Sequence, residues 1–65
     1  MGVLTANELR LLQHVANGGS YKTAAVEMQY AYDTARLFAK TAFAKLGARN
    51  QTHAVALALR AGLIT

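Results

Sequence analysis

The sequence predicts an all-α fold of four short helices, and three observations carry that prediction. Proline is absent from all 65 residues, so no segment contains a residue that breaks a helix from within. Glycine and short polar stretches divide the chain into four segments, in which apolar residues recur at helical spacing. Three of the four segments open on a good N-cap: Thr5, Ser20 and Asn50. A chain this short makes one domain, residues 1–65, and such a domain buries only about 60% of its unfolded surface. With no cysteine, neither disulfides nor thiolate metal ligands can supplement the core. Close helix packing, helped by a partner subunit, has to hold it together.

Helix 1 begins at Thr5-Ala6-Asn7-Glu8, a capping box. The Thr5 hydroxyl accepts from the Glu8 amide, and the Glu8 carboxylate accepts from the Thr5 amide. Leu4 and Leu9 occupy the two positions of a hydrophobic staple, so both signals agree on one start. The helix runs to about Asn17, buries Leu12, Val15 and Ala16, and ends at Gly18-Gly19. Ser20 caps helix 2, about residues 21–29, whose inner face is Ala24, Ala25 and Met28. Those small residues permit the close crossing that a helix-turn-helix requires, with the turn at about residues 29–31.

Helix 3 covers about residues 32–46. At 100° per residue, Ala35, Phe38, Ala42 and Leu46 fall within an arc of about 80° and form its buried seam. Arg36, Leu37, Lys40 and Ala44 fall opposite, with Asp33 among them, and make an exposed, mostly basic face. Gly47 ends this helix as a left-handed cap. Helix 4, about residues 51–61, is capped by Asn50 and closed at Gly62. Its Ala54-Val55-Ala56-Leu57-Ala58-Leu59 is apolar almost all round, which points to a second apolar face for a partner.

Seven Lys+Arg against three Asp+Glu give a net charge of +4. The acids are Glu8, Glu27 and Asp33, so no acidic side chain after Asp33 offsets Arg36, Lys40, Lys45, Arg49 and Arg60. A basic second half beginning at helix 3 suits an anionic partner such as nucleic acid.

The order of these features is the last piece. Leu4-Thr5-x-x-Glu8 is followed by Thr34-Ala35-Arg36 and, beginning eleven residues after Thr34, by Lys45-Leu46-Gly47-Ala48-Arg49-Asn50-Gln51-Thr52-His53-Ala54-Val55. From residue 4 to 64 the chain resembles the LuxR/FixJ-type helix-turn-helix domain. That resemblance implies sequence-specific binding of double-stranded DNA as a transcriptional regulator, with helix 3 in the major groove. Its base-contacting positions carry over to Arg36, Leu37 and Lys40. Arg36 is suited to bridge guanine O6 and N7, Lys40 reaches a base edge or a phosphate, and Leu37 offers an apolar contact to a thymine methyl. Lys22, Thr34 and Lys45 are placed for phosphate contact. The resemblance further implies a weak homodimer through helix 4, with Val55 and Leu59 as candidates for its surface, and RNA polymerase or another regulator as protein partners. An alternative stays open: a module that pairs through helix 4 with another LuxR-type regulator and modulates or blocks it.

Several residues depart from the family pattern. Gln29 stands at the usual turn glycine, Ala31 at the usual Ser/Thr cap, Phe38 at a histidine and Gln51 at an arginine, while Ala24, Ala35 and Ala42 replace larger aliphatic residues. The lost volume predicts a repacked core filled by Tyr30, Phe38 and Phe43, with Phe38 and Phe43 largely buried and Phe38 facing Ala24, Ala25 or Met28.

Other chemistries find little support. His14 and His53 sit on separate helices with no cysteine near them, so no metal or other cofactor is expected. Gly18-Gly19-Ser20 lacks the spacing of a phosphate loop, and no hydroxyl has a suggested His/Asp relay, so the protein is not expected to be an enzyme. Tyr21, Tyr30 and Tyr32 cluster around the turn, where burial against the core is favoured over a stacking platform for single strands. No stretch approaches the roughly 20 apolar residues that span a bilayer, and no signal-peptide pattern is present, so the cytoplasm is the expected location.

Overall fold

The computed structural model describes residues 3–65, and Met1 and Gly2 of the expected 1–65 domain lie outside it. It contains α1 (Ala6–Ala16), α2 (Tyr21–Met28), α3 (Tyr32–Leu46) and α4 (Gln51–Arg60), with no strand among the described residues. The all-α fold expected from the sequence is the one observed. None of these helices is long and apolar enough to cross a membrane.

Three of the four starts have the expected cap. The Thr5 amide donates to Glu8 Oε1 at 2.7 Å, and the Glu8 amide donates to the Thr5 hydroxyl at 3.2 Å, closing the capping box of α1. Ser20 caps α2 by accepting from the Thr23 amide, and the Thr23 hydroxyl accepts in return from the Ser20 amide. Asn50 accepts from the His53 amide at the start of α4. Ala31, before α3, provides no side-chain cap, and Asp33 in the first turn is left to favour the helix dipole.

The helix ends share one device. After α1, α3 and α4 the chain turns through Gly18, Gly47 and Gly62 at positive φ. After α2 the same turn is made by Gln29, at φ 62°, with the Tyr30 amide donating to the Ala25 carbonyl at 2.9 Å. A side chain there crowds its own backbone, so Gln29 holds this turn at a cost a glycine would not incur. In the connection before α2, Gly19 serves close approach. A Cβ at this position would collide with the His14 ring, whose Nε2 is 2.7 Å from the Thr23 hydroxyl.

Helix α3 packs against all three others, and α4 packs against α1 and α3. Two apolar clusters lie on either side of α1, because successive residues, Leu11 and Leu12, enter different ones. Leu11 and Val15 meet Ala24, Met28 and Ala39. Leu12 meets Ala42, Ala54, Ala58 and Ile64. Ile64 is held there because both the amide and the carbonyl of Thr65 hydrogen-bond the Gln13 side chain at 2.9 Å.

Seven of the twelve buried apolar residues are alanine, so this core closes by close approach of helix backbones rather than by interlocking large side chains. That corrects the expectation for Phe38 and Phe43. Both rings are half-buried, packed against the outside of the alanine-rich clusters, and Tyr30, expected to fill volume with them, is exposed. Phe38 does rest on the cluster containing Ala24 and Met28, and it meets Tyr30 edge-on at 5.1 Å between ring centres. Ala16, expected to be buried, is half-buried, while Leu11 and Ala39 complete the core.

Candidate nucleic-acid interface

The long helix α3 presents two faces with different chemistry. Ala35, Ala39 and Ala42 are buried, whereas Asp33, Arg36, Leu37, Lys40 and Ala44 are exposed. Arg36, Leu37 and Lys40 therefore share the outward face, around one shallow concavity with Asp33 at its edge. Leu37 is 58% exposed, an apolar side chain between the two basic ones of that face.

Arg36 is also held from the side, with its Cζ 5.9 Å from the centre of the Tyr32 ring. Close by, the Tyr21 hydroxyl is pushed above its usual range by burial, and the Arg36 charge opposes that rise. Across a second groove Arg36 and Lys40 face Arg49, Asn50 and Gln51, at the loop that leads into α4. This convergence of Arg49 with α3 had no signal beyond the absence of acidic side chains in the second half of the sequence. Lys22 is exposed in the first turn of α2, beside a wider groove walled by Tyr21 and Tyr32. Thr34 is half-buried on the flank of α3.

Lys45 stands apart from this group. Its Nζ donates to Glu8 Oε1 at 2.9 Å and to the Val3 carbonyl at 3.1 Å, so it ties α3 to α1 and the N-terminal segment. Glu8 is 2% exposed and also accepts from the Thr41 hydroxyl. Burial alone would raise its carboxyl pKa, but the hydrogen bonds from Lys45, Thr41 and Thr5 outweigh burial and hold it at about 2, against an ordinary 4.5. The charge of Lys45 is thereby offset within the fold. Among the described residues, the other six Lys and Arg side chains have no carboxylate within ion-pair distance.

Of the two candidates for a partner surface on α4, Val55 is half-buried and packs against both apolar clusters. Leu59 points outward, 47% exposed, and Leu63 beyond the helix is exposed as well.

An exposed basic helix packed across a short capped one describes an architecture, and comparison with known proteins names it. The family model of the bacterial regulatory proteins of the luxR family matches residues 2–58. The chain belongs to the luxR family. No curated protein and no solved structure compared with it matches. As a luxR-family chain it carries a DNA-binding domain of a transcription regulator, with α2 and α3 as its helix-turn-helix pair.

Proposed function

We propose that this luxR-family domain binds duplex DNA with a sequence preference, inserting the outward face of α3 into the major groove. The observation that carries this reading is the segregation of α3: a seam of buried alanines on one side, and Arg36, Leu37 and Lys40 together on the other. In the groove Arg36 bridges guanine O6 and N7, Leu37 meets a thymine methyl, and Lys40 reaches a base edge or phosphate. Lys22, Thr34 and Arg49 flank that face and contact phosphates, setting register without reading sequence. Lys45 is left out of the phosphate set because Glu8 already engages its ammonium group.

Two copies pair weakly through α4. Support comes from Leu59 and Leu63, exposed apolar side chains on a domain with little core to spare. Val55 serves that surface only indirectly, by seating α4 on α1 and α3. One short helix per subunit covers less than the roughly 1,200 Å² of a stable interface, so pairing is driven by adjacent half-sites on DNA.

Selection from random duplexes followed by fluorescence anisotropy tests the reading. Arg36→Ala costs about 1–3 kcal/mol on the selected site and relaxes preference at one base pair. Affinity falls with salt at a log–log slope of about −0.9 per phosphate contacted. If Arg36→Ala and Lys40→Ala both bind the selected site as the parent does, α3 is not the reading helix.

A further inference from the structure

Base reading by α3 rests most on Arg36, and its surroundings show what orients it. Asp33 lies three residues earlier, where an ion pair with an arginine is common on a helix, yet no carboxylate among the described residues stands within ion-pair distance of the guanidinium. The group instead lies beside the ring of Tyr32, four residues earlier, at 5.9 Å. The two alternatives differ in consequence. A carboxylate would occupy the same N–H groups that a guanine needs, whereas a π face attracts the cation and leaves its donors free. Tyr32 is itself the first residue of α3, 48% exposed and outside both apolar clusters.

We propose that Tyr32 is a positioning residue, whose ring aims the Arg36 guanidinium at one base and so sets discrimination without touching that base. The inference rests on the reading of α3 as the groove helix. A free arginine loses several rotatable bonds of freedom when it grips a guanine, and a side chain already restrained loses less. The restraint acts only where Arg36 reads, so it strengthens the matched base pair over mismatched ones and leaves attraction to phosphate unchanged.

The test compares anisotropy on three kinds of duplex: the selected site, the same site altered at the base pair that Arg36→Ala identifies, and random sequence. Tyr32→Leu removes the π face, Tyr32→Phe keeps it, and Tyr32→Gln repeats the removal with a polar side chain. Circular dichroism gives the folded concentration of each variant. Tyr32→Leu and Tyr32→Gln lower discrimination at that base pair about two- to five-fold, the range open to an exposed cation–π contact, with random-duplex affinity unchanged. Tyr32→Phe retains the discrimination, and Tyr32→Leu has no effect in an Arg36→Ala background. Three results overturn the proposal while leaving the groove reading intact: full discrimination in Tyr32→Leu, an equal loss on all duplexes, or the same loss in the absence of Arg36. If Arg36→Ala leaves preference for the selected site unaltered, the groove reading itself has failed, and this inference fails with it.

Discussion

Glu8 offers the most quantitative handle on the fold. Its carboxylate is nearly inaccessible and joins the start of α1 to Lys45 and Thr41 of α3. Its pKa falls from 4.5 unfolded to about 2 folded, worth about 3 kcal/mol at 1.36 kcal/mol per unit. The sign follows from proton binding. Between those two values the unfolded chain holds the Glu8 proton and the folded one does not, so acid favours unfolding. The contribution is complete above about pH 5 and disappears as the pH drops through the folded pKa, at about 1.4 kcal/mol per pH unit in the steepest part. Domains of this size are stable by only about 3–10 kcal/mol, so one carboxylate accounts for a large share. Urea unfolding followed by circular dichroism at pH 7, 4 and 3 measures it in the parent and in Glu8→Gln. The variant is less stable at pH 7 by about 3 kcal/mol, and its stability varies much less between pH 5 and 3. Lys45→Met supplies a second route, because it retains the side-chain stem and raises the Glu8 carboxyl, which NMR titration reads directly. An ordinary Glu8 titration near pH 4 in the folded parent, or parallel pH profiles for parent and Glu8→Gln, would refute the reasoning.

Three further outcomes follow from the packing. Gln29→Gly, relieving a residue at φ 62°, stabilises the domain by about 0.5–1 kcal/mol, seen as a thermal midpoint a few degrees higher; an unchanged midpoint would mean the turn is not strained. Phe38→Ala costs about 2–3 kcal/mol in urea unfolding, below the 3–5 of a fully buried ring, since Phe38 is half-buried between Tyr30 and the α1–α2 cluster; a loss under about 1 kcal/mol would place the ring outside the core. Val55→Glu and Leu59→Glu separate the two faces of α4. The first strongly destabilises the monomer, while the second alters stability by less than about 0.5 kcal/mol and abolishes pairing on two half-sites in sedimentation equilibrium; equal stability losses in both would remove Leu59 from the pairing surface.

Local chemistry was legible in the sequence because its physical range is short. Thr5 and Glu8 are three residues apart, as are Ser20 and Thr23, and a cap needs nothing beyond its own first turn. Gly47 marks the end of α3 for the same reason, and the 3.6-residue repeat alone divides Arg36, Leu37 and Lys40 from Ala35 and Ala42. The exposed basic face of α3, being one side of one helix, needed no tertiary information.

What only the tertiary structure decided depends on distances between segments far apart in the chain. Periodicity shows that Val55 and Leu59 are apolar, but which of them meets the core depends on how α4 rolls against α1 and α3, and Val55 took that place. The expectation that phenylalanines fill the volume the alanines leave assumed fixed helix spacing; the helices close up instead, and Phe38 and Phe43 stay on the rim. Lys45 reads as one more cation on a basic helix until Glu8, 37 residues away, is brought to 2.9 Å. Helical periodicity gives a side chain's direction about its own axis, and only the packing of that axis against the others decides what the side chain meets.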